Sequence, residues 1–153
     1  MVKNPFATLE KTLHYTFKNK ELLTNALTHK TYAFEAATPV EYNERLELLG
    51  DSILDFVVAE QLYKSNKYFS EGELTRRRSQ LVNNRFLANR AKTLGLGHYI
   101  LFGRGEKKQN GEVNPTNLAN ALEALIGAVY LDSDVETVRT FILETVFADV
   151  HIF

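Results

Sequence analysis

Cysteine is absent from the 153 residues. Disulfides and thiolate metal sites are thereby excluded, and the composition fits a reducing compartment. No run approaches the roughly 18 apolar residues of a membrane span. Residues 1–11 lack the basic-then-apolar design of a signal peptide. A cytoplasmic location with no membrane partner is the expectation. Internal repeats, low-complexity segments and convincing strands are missing too. His14, His98 and His151 fit no metal-ligand spacing, and neither His-Glu-x-x-His nor Glu-x-x-His occurs. What remains is an ordinary globular composition, 44% hydrophobic and 24% charged. It suits one domain over residues 1–153, long enough to bury about 70% of its unfolded surface.

The net charge of −1 hides an uneven distribution. Residues 70–108 carry nine Lys/Arg against three Glu, a balance of +6, and residues 109–153 carry one Arg against seven Asp/Glu, a balance of −6. A basic segment beside acidic clusters suits an enzyme that cuts a polyanion, with cations for phosphates and carboxylates for metal. A basic solvated helix face would give the same count.

Apolar periodicity is helical almost throughout, so the fold class is all-α. Two short amphipathic helices are expected over residues 5–15 and 20–28, then a loop over residues 36–40 around Pro39. A long helix should run from about Asn43 to Ser65. Ser70-Glu71-Gly72-Glu73 reads as a capping box, opening a helix that could reach Leu94. Gly95 and Gly97 punctuate the chain, and residues 103–114 read as a polar loop. Asn114-Pro115 supplies an N-cap and a first-turn proline for a helix to about Leu131. Asp134 should cap a last helix towards Phe147.

Glu44, Glu47 and Asp51 recur at i, i+3, i+7, which aligns them as one acidic stripe on the long helix. Leu46, Leu48, Leu49, Ile53, Leu54, Phe56 and Val57 make most of its remaining circumference apolar. Three acids on a largely buried helix are costly unless a positive group compensates them. Oxygen-only ligands at close quarters suit a hard divalent cation, Mg2+ above all. Asn120 and Glu123 share a face of a second apolar helix, with Gly127 continuing the stripe. Alone they would read as surface residues; beside the first stripe they could share its ions.

Ala26-Leu-Thr-His-Lys-Thr-Tyr32, Asn43-Glu-Arg-Leu-Glu-Leu-Leu-Gly-Asp51, Glu71-Gly72 before a helix, and residues 118–130 resemble the nuclease domain of bacterial-type ribonuclease III. The resemblance covers nearly the whole chain. It implies an all-helical homodimer that hydrolyses double-stranded RNA with Mg2+, Mn2+ substituting, in RNA processing that includes ribosomal RNA. No small-molecule cofactor is implied. Glu47, Asp51 and Glu123 match the family's metal-binding and catalytic carboxylates, and Asn120 stands at another metal position. Glu44 and Glu71 match secondary acids of the same valley. Arg45 and Asn43 read as structural, Asn43 as a helix N-cap, and Glu73 as part of the capping box. His29 lies in the family motif and reads as structural. An ion held by these acids could acidify a water and neutralise the leaving 3′-oxygen, giving 5′-phosphate and 3′-hydroxyl ends. Duplex RNA is read by shape, so little sequence specificity is expected. Arg76, Arg77, Arg78, Arg85, Lys107 and Lys108 are candidate phosphate contacts.

The pattern departs from the family in three places. Asn120 is neutral where Asp is usual, which predicts weaker metal affinity. Glu112 and Asn114 replace basic residues before Pro115. Leu48 stands where a Phe commonly packs across the dimer, predicting a smaller contact. Family members also commonly continue into a double-stranded-RNA-binding domain, and no such pattern occurs here. The competing reading is a related RNA-binding or structural protein with a weakened or lost site, with Asn120 as its best support.

Overall fold

The computed structural model describes residues 3–151, and every structural statement below concerns these. Nine α-helices follow one another among them: α1 Ala7–Leu13, α2 Lys20–Ala26, α3 Lys30–Glu35, α4 Glu44–Ser65, α5 Glu71–Val82, α6 Asn84–Thr93, α7 Arg104–Lys108, α8 Pro115–Asp132 and α9 Val135–Phe141. Short 3-10 turns occupy Leu96–His98 and Gly111–Val113, and a π-helical turn over Ile142–Val146 prolongs α9. No strand forms among the described residues; a single bridge pairs Thr28 with Leu101. The all-α expectation holds.

Helix α8 is the axis of the molecule. Leu118, Ala119 and every residue from Ala121 to Val129 are buried, so it is surrounded on nearly all sides. Its sequence is mostly Ala, Leu, Ile and Val, apolar all round as a core helix must be. Helix α4 packs along one side of it and α6 along another. Helix α4 buries Gly50, Leu54, Val57, Val58 and Leu62 on that side and leaves Leu48 and Tyr63 exposed.

The helix starts follow the side chains that satisfy orphan N–H groups. Ser70 Oγ accepts from Glu73 N–H at 3.2 Å, Asn114 Oδ1 from Asn117 N–H at 3.1 Å, and Asp134 Oδ1 from Thr137 N–H at 2.7 Å. Pro115 opens α8 where its missing N–H costs nothing.

Three expectations need correction. The helix opening at Ser70 does not reach Leu94. It breaks at Asn83, whose extended ψ of 159° ends α5; its Oδ1 caps α6 by accepting from Phe86 N–H at 2.9 Å. Its Nδ2 donates back to the carbonyls of Ser79 and Gln80, both at 3.0 Å. The polar loop 103–114 contains α7 and a 3-10 turn. Asn43 makes no cap bond; it is buried and ties the start of α4 backward, N–H to Thr28 O at 3.0 Å and Nδ2 to Ala26 O at 3.4 Å. The helix that Asp134 caps does run towards Phe147, its last turn, Ile142–Val146, being π-helical.

Candidate metal-dependent nuclease site

The approach of α4 to α8 builds the site. A Cβ on Gly50 would lie 1.7 Å from the carbonyl oxygen of Glu123, and one on Gly127 would lie 2.5 Å from that of Leu46. No side chain other than hydrogen fits at either position, so the two backbones touch. This crossing places one turn of α4 beside one turn of α8. Glu44, Glu47 and Asp51 then share a cleft of about 440 Å3 with Asn120 and Glu123, joined by Leu48 and by Asn84 of α6.

Charge is poorly compensated there. Glu123 is buried, and its carboxyl is pushed up to about 9 by burial first and then by Asp51, Glu47 and Asp55. Burial also raises Glu47, helped by Glu44 and Asp51 and opposed by Lys30. Lys30 Nζ stands 3.6 Å from Glu44 Oε1, at the mouth of the cleft. Asn120 has its amide best satisfied with Nδ2 donating to Glu47 Oε1 at 3.3 Å and Thr116 O at 3.2 Å. Among the described residues no three His, Cys, Asp or Glu side chains stand preassembled around an ion.

The donor set nevertheless suits a hard divalent cation. Four carboxylates and the Asn120 amide converge, all able to offer oxygen, and burial holds one carboxyl protonated at neutral pH. A cation would remove that penalty. Glu47, Asp51 and Glu123 are the residues to hold it, with Asn120 able to turn its Oδ1 inward.

Other sequence candidates fall elsewhere. Glu71 does not line the cleft; it is exposed on the first turn of α5 and accepts from Thr75 Oγ1 at 2.9 Å. Glu73 does not reach back to Ser70 as a full capping box would, but grips Arg76 (2.8 Å) and Arg77 (2.7 Å). Arg85, Lys107 and Lys108 are exposed, and Arg78 is half-buried. Glu112 is turned partly inward, with Oε2 buried and unpartnered. Asp55 is the residue that sequence reasoning passes over. It extends the stripe by one more turn, i+4 from Asp51, and its carboxyl is raised by burial and by Asp51 against the pull of Arg78. The extended spacing was its only signal.

The description "ribonuclease-III-like" belongs to a family model that matches residues 19–150. The chain belongs to the ribonuclease-III-like family. Ribonuclease 3 of Vibrio cholerae is 46% identical over 140 residues, covering 92% of this chain and 60% of that protein. Ribonuclease 3 of Caldanaerobacter subterraneus is 44% identical over 136 residues, 89% of this chain and 60% of that one. The chain thus spans about 60% of the length of the curated relatives it matches. Among solved structures, the nuclease domain of ribonuclease III from Campylobacter jejuni superposes with a TM-score of 0.89 at 38% identity, covering 99% of each chain. Dicer from Pichia stipitis matches 87% of this chain and 55% of its own at a TM-score of 0.62 and 28% identity. The all-helical ribonuclease-III-like fold is therefore a family feature.

Proposed function

We propose that this protein is a Mg2+-dependent endoribonuclease that cleaves double-stranded RNA, leaving 5′-phosphate and 3′-hydroxyl ends. The observation that carries the reading is the convergence of Glu47 and Asp51 from α4 with Asn120 and Glu123 from α8 in one cleft. Family membership supports the reaction class. Mg2+, or Mn2+ in its place, supplies acidification of a water and charge neutralisation at the leaving 3′-oxygen when bound. Glu47, Asp51 and Glu123 hold and orient it. Lys30, beside Glu44, adds a positive charge at the cleft mouth.

Binding of the duplex falls to the basic side chains of α5 to α7, Arg78, Arg85, Lys107 and Lys108 first. Arg76 and Arg77 are already partnered by Glu73 and contribute only their remaining N–H groups. We expect a homodimer, since related structures concern "dimer formation" of this domain. An apolar groove of about 890 Å3 supports it, lined by Leu22, Val40, Tyr42, Leu46, Leu49 and Leu131 beside the exposed Leu48. Two sites in such a dimer would cut opposite strands. A cytoplasmic role in RNA processing, by a nuclease domain of residues 1–153, completes the proposal.

Asn120 favours a second reading, a related protein with a weakened or inactive site. It is neutral and hydrogen-bonded to Glu47. Incubation of the wild type and Glu123→Gln with long duplex RNA in Mg2+ or Mn2+ separates the two. Cleavage by the wild type that Glu123→Gln abolishes supports the enzyme; no cleavage with either metal supports the second reading.

A further inference from the structure

The break between α5 and α6 leaves Asn84 in the wall of the acidic cleft. Asn83 fixes the backbone on both sides of the break. Its Nδ2 donates back to Ser79 O and Gln80 O, both at 3.0 Å, and its Oδ1 accepts from Phe86 N–H at 2.9 Å. Asn84 follows as the first residue of α6, with its side chain exposed. Its Nδ2 donates across to Thr116 Oγ1 on the first turn of α8 at 3.5 Å, a long bond. The main-chain oxygen of the same Thr116 accepts from Asn120 Nδ2 at 3.2 Å. Only Thr116 therefore stands between the amide of Asn84 and that of Asn120.

Side chains able to donate to a substrate are scarce in this cleft. Glu44, Glu47, Asp51 and Glu123 are acids, and Leu48 has no polar side-chain atom. Ionised, as cation binding requires, the acids only accept. Asn120 directs its amide hydrogens to Glu47 Oε1 and Thr116 O. Asn84 Nδ2 gives at most one of its two hydrogens to Thr116, and among the described residues no donor reaches its Oδ1. Asn84 is then the lining side chain with an N–H and a carbonyl oxygen both open to a ligand. The group that fits it accepts one hydrogen bond and returns another. On an RNA backbone that group is the ribose 2′-hydroxyl, which an A-form duplex displays along its shallow minor groove. A phosphate oxygen has no proton to return, and the neighbouring acids repel it more than they repel a neutral hydroxyl.

We propose that Asn84 is a substrate-binding residue whose amide pairs with the 2′-hydroxyl of a nucleotide beside the scissile phosphodiester, so that the cleft itself selects RNA over DNA. The inference deepens the function proposed above and rests on it. It also gives the break at Asn83 a purpose: the side chain that closes α5 and opens α6 sets the residue that follows it against the cleft.

Single 2′-deoxy substitutions, stepped through the nucleotides that flank the cut in a defined duplex, test the pairing in the wild type and in Asn84→Ala. For the wild type, kcat/KM should fall about two- to tenfold at one position, the scale of one lost hydrogen bond. Asn84→Ala should cut the all-ribose duplex with kcat/KM lowered by that same factor. The deoxy substitution at that position should then cost the variant nothing more. Deoxy nucleotides elsewhere should affect both enzymes alike. Asn84→Asp keeps Oδ1 but loses the N–H and adds charge, so it should do no better than Asn84→Ala. Each enzyme is compared with itself on two substrates, and a folding defect cannot imitate the lost sensitivity. Equal sensitivity of the wild type and Asn84→Ala at every position would overturn the inference. So would the same cycle run with methylphosphonates, if Asn84 coupled to a phosphate and to no ribose. A wild type that does not cleave duplex RNA would sink the proposed function and this inference with it; cleavage with additive losses sinks the inference alone.

Discussion

Glu123 is ionised at neutral pH in the unfolded chain, whereas the folded protein pushes its carboxyl from an ordinary 4.5 up to about 9. A raised folded-state value contributes stability that is complete below pH 4.5 and is lost as pH rises through 9. In chelator, the wild type should therefore lose stability between those limits, and Glu123→Gln should flatten the loss. At pH 8 the variant should be more stable by about 1–3 kcal/mol, the cost of a poorly satisfied buried polar group. For a chain of this size that is about 2–4 °C in Tm per kcal/mol, readable by calorimetry. Mg2+ should reverse the ranking, because only the wild type gains a ligand. Asn120 tests the same site from the other side. Asn120→Asp replaces a donor to Glu47 with a further carboxylate and should lower the Mg2+ concentration for half-maximal cleavage about tenfold, some 1.4 kcal/mol of affinity. An unchanged Mg2+ dependence would contradict the assigned role of Asn120.

The helices were legible wherever a cap or a carboxylate stripe marked them. Ser70, Asn114 and Asp134 each begin the helix that their side chains announce. The acidic spacing along α4 and the Asn120–Glu123 pair fall on faces that line one cleft. The break at Asn83 was not legible, since no Gly or Pro interrupts residues 73–94. One Asn closes α5 and opens α6 by bonding in both directions. Neither was the short α3, whose cap is a histidine. The crossing of α4 and α8 was invisible for another reason: it depends on side chains that are missing. Gly50→Ala places a methyl inside van der Waals contact of the Glu123 carbonyl, which main chain cannot easily yield. We expect destabilisation of about 3 kcal/mol or more, with cleavage lost because Asp51 and Glu123 separate. Gly72→Ala on the open first turn of α5 is the control and should change little.

Across the whole molecule, charge and apolar surface divide the labour. The acidic cleft and the basic segments lie on different helices, so the net charge of −1 conceals both. The apolar groove and the 72% exposed Leu48 flank the cleft through the shared Glu44 and Leu48. Leu48→Asp should therefore leave the fold intact but shift sedimentation from dimer to monomer at micromolar concentration, with cleavage falling in parallel. Dimers that persist in this variant would place the interface elsewhere. RNA affinity should fall steeply with added salt, as phosphate contacts dictate. The most direct test is anomalous scattering from crystals grown with Mn2+. An ion peak shared by Asp51 and Glu123, with Glu47 beside it, is the expected result. No peak between those two carboxylates, at metal concentrations that support cleavage, would contradict the account.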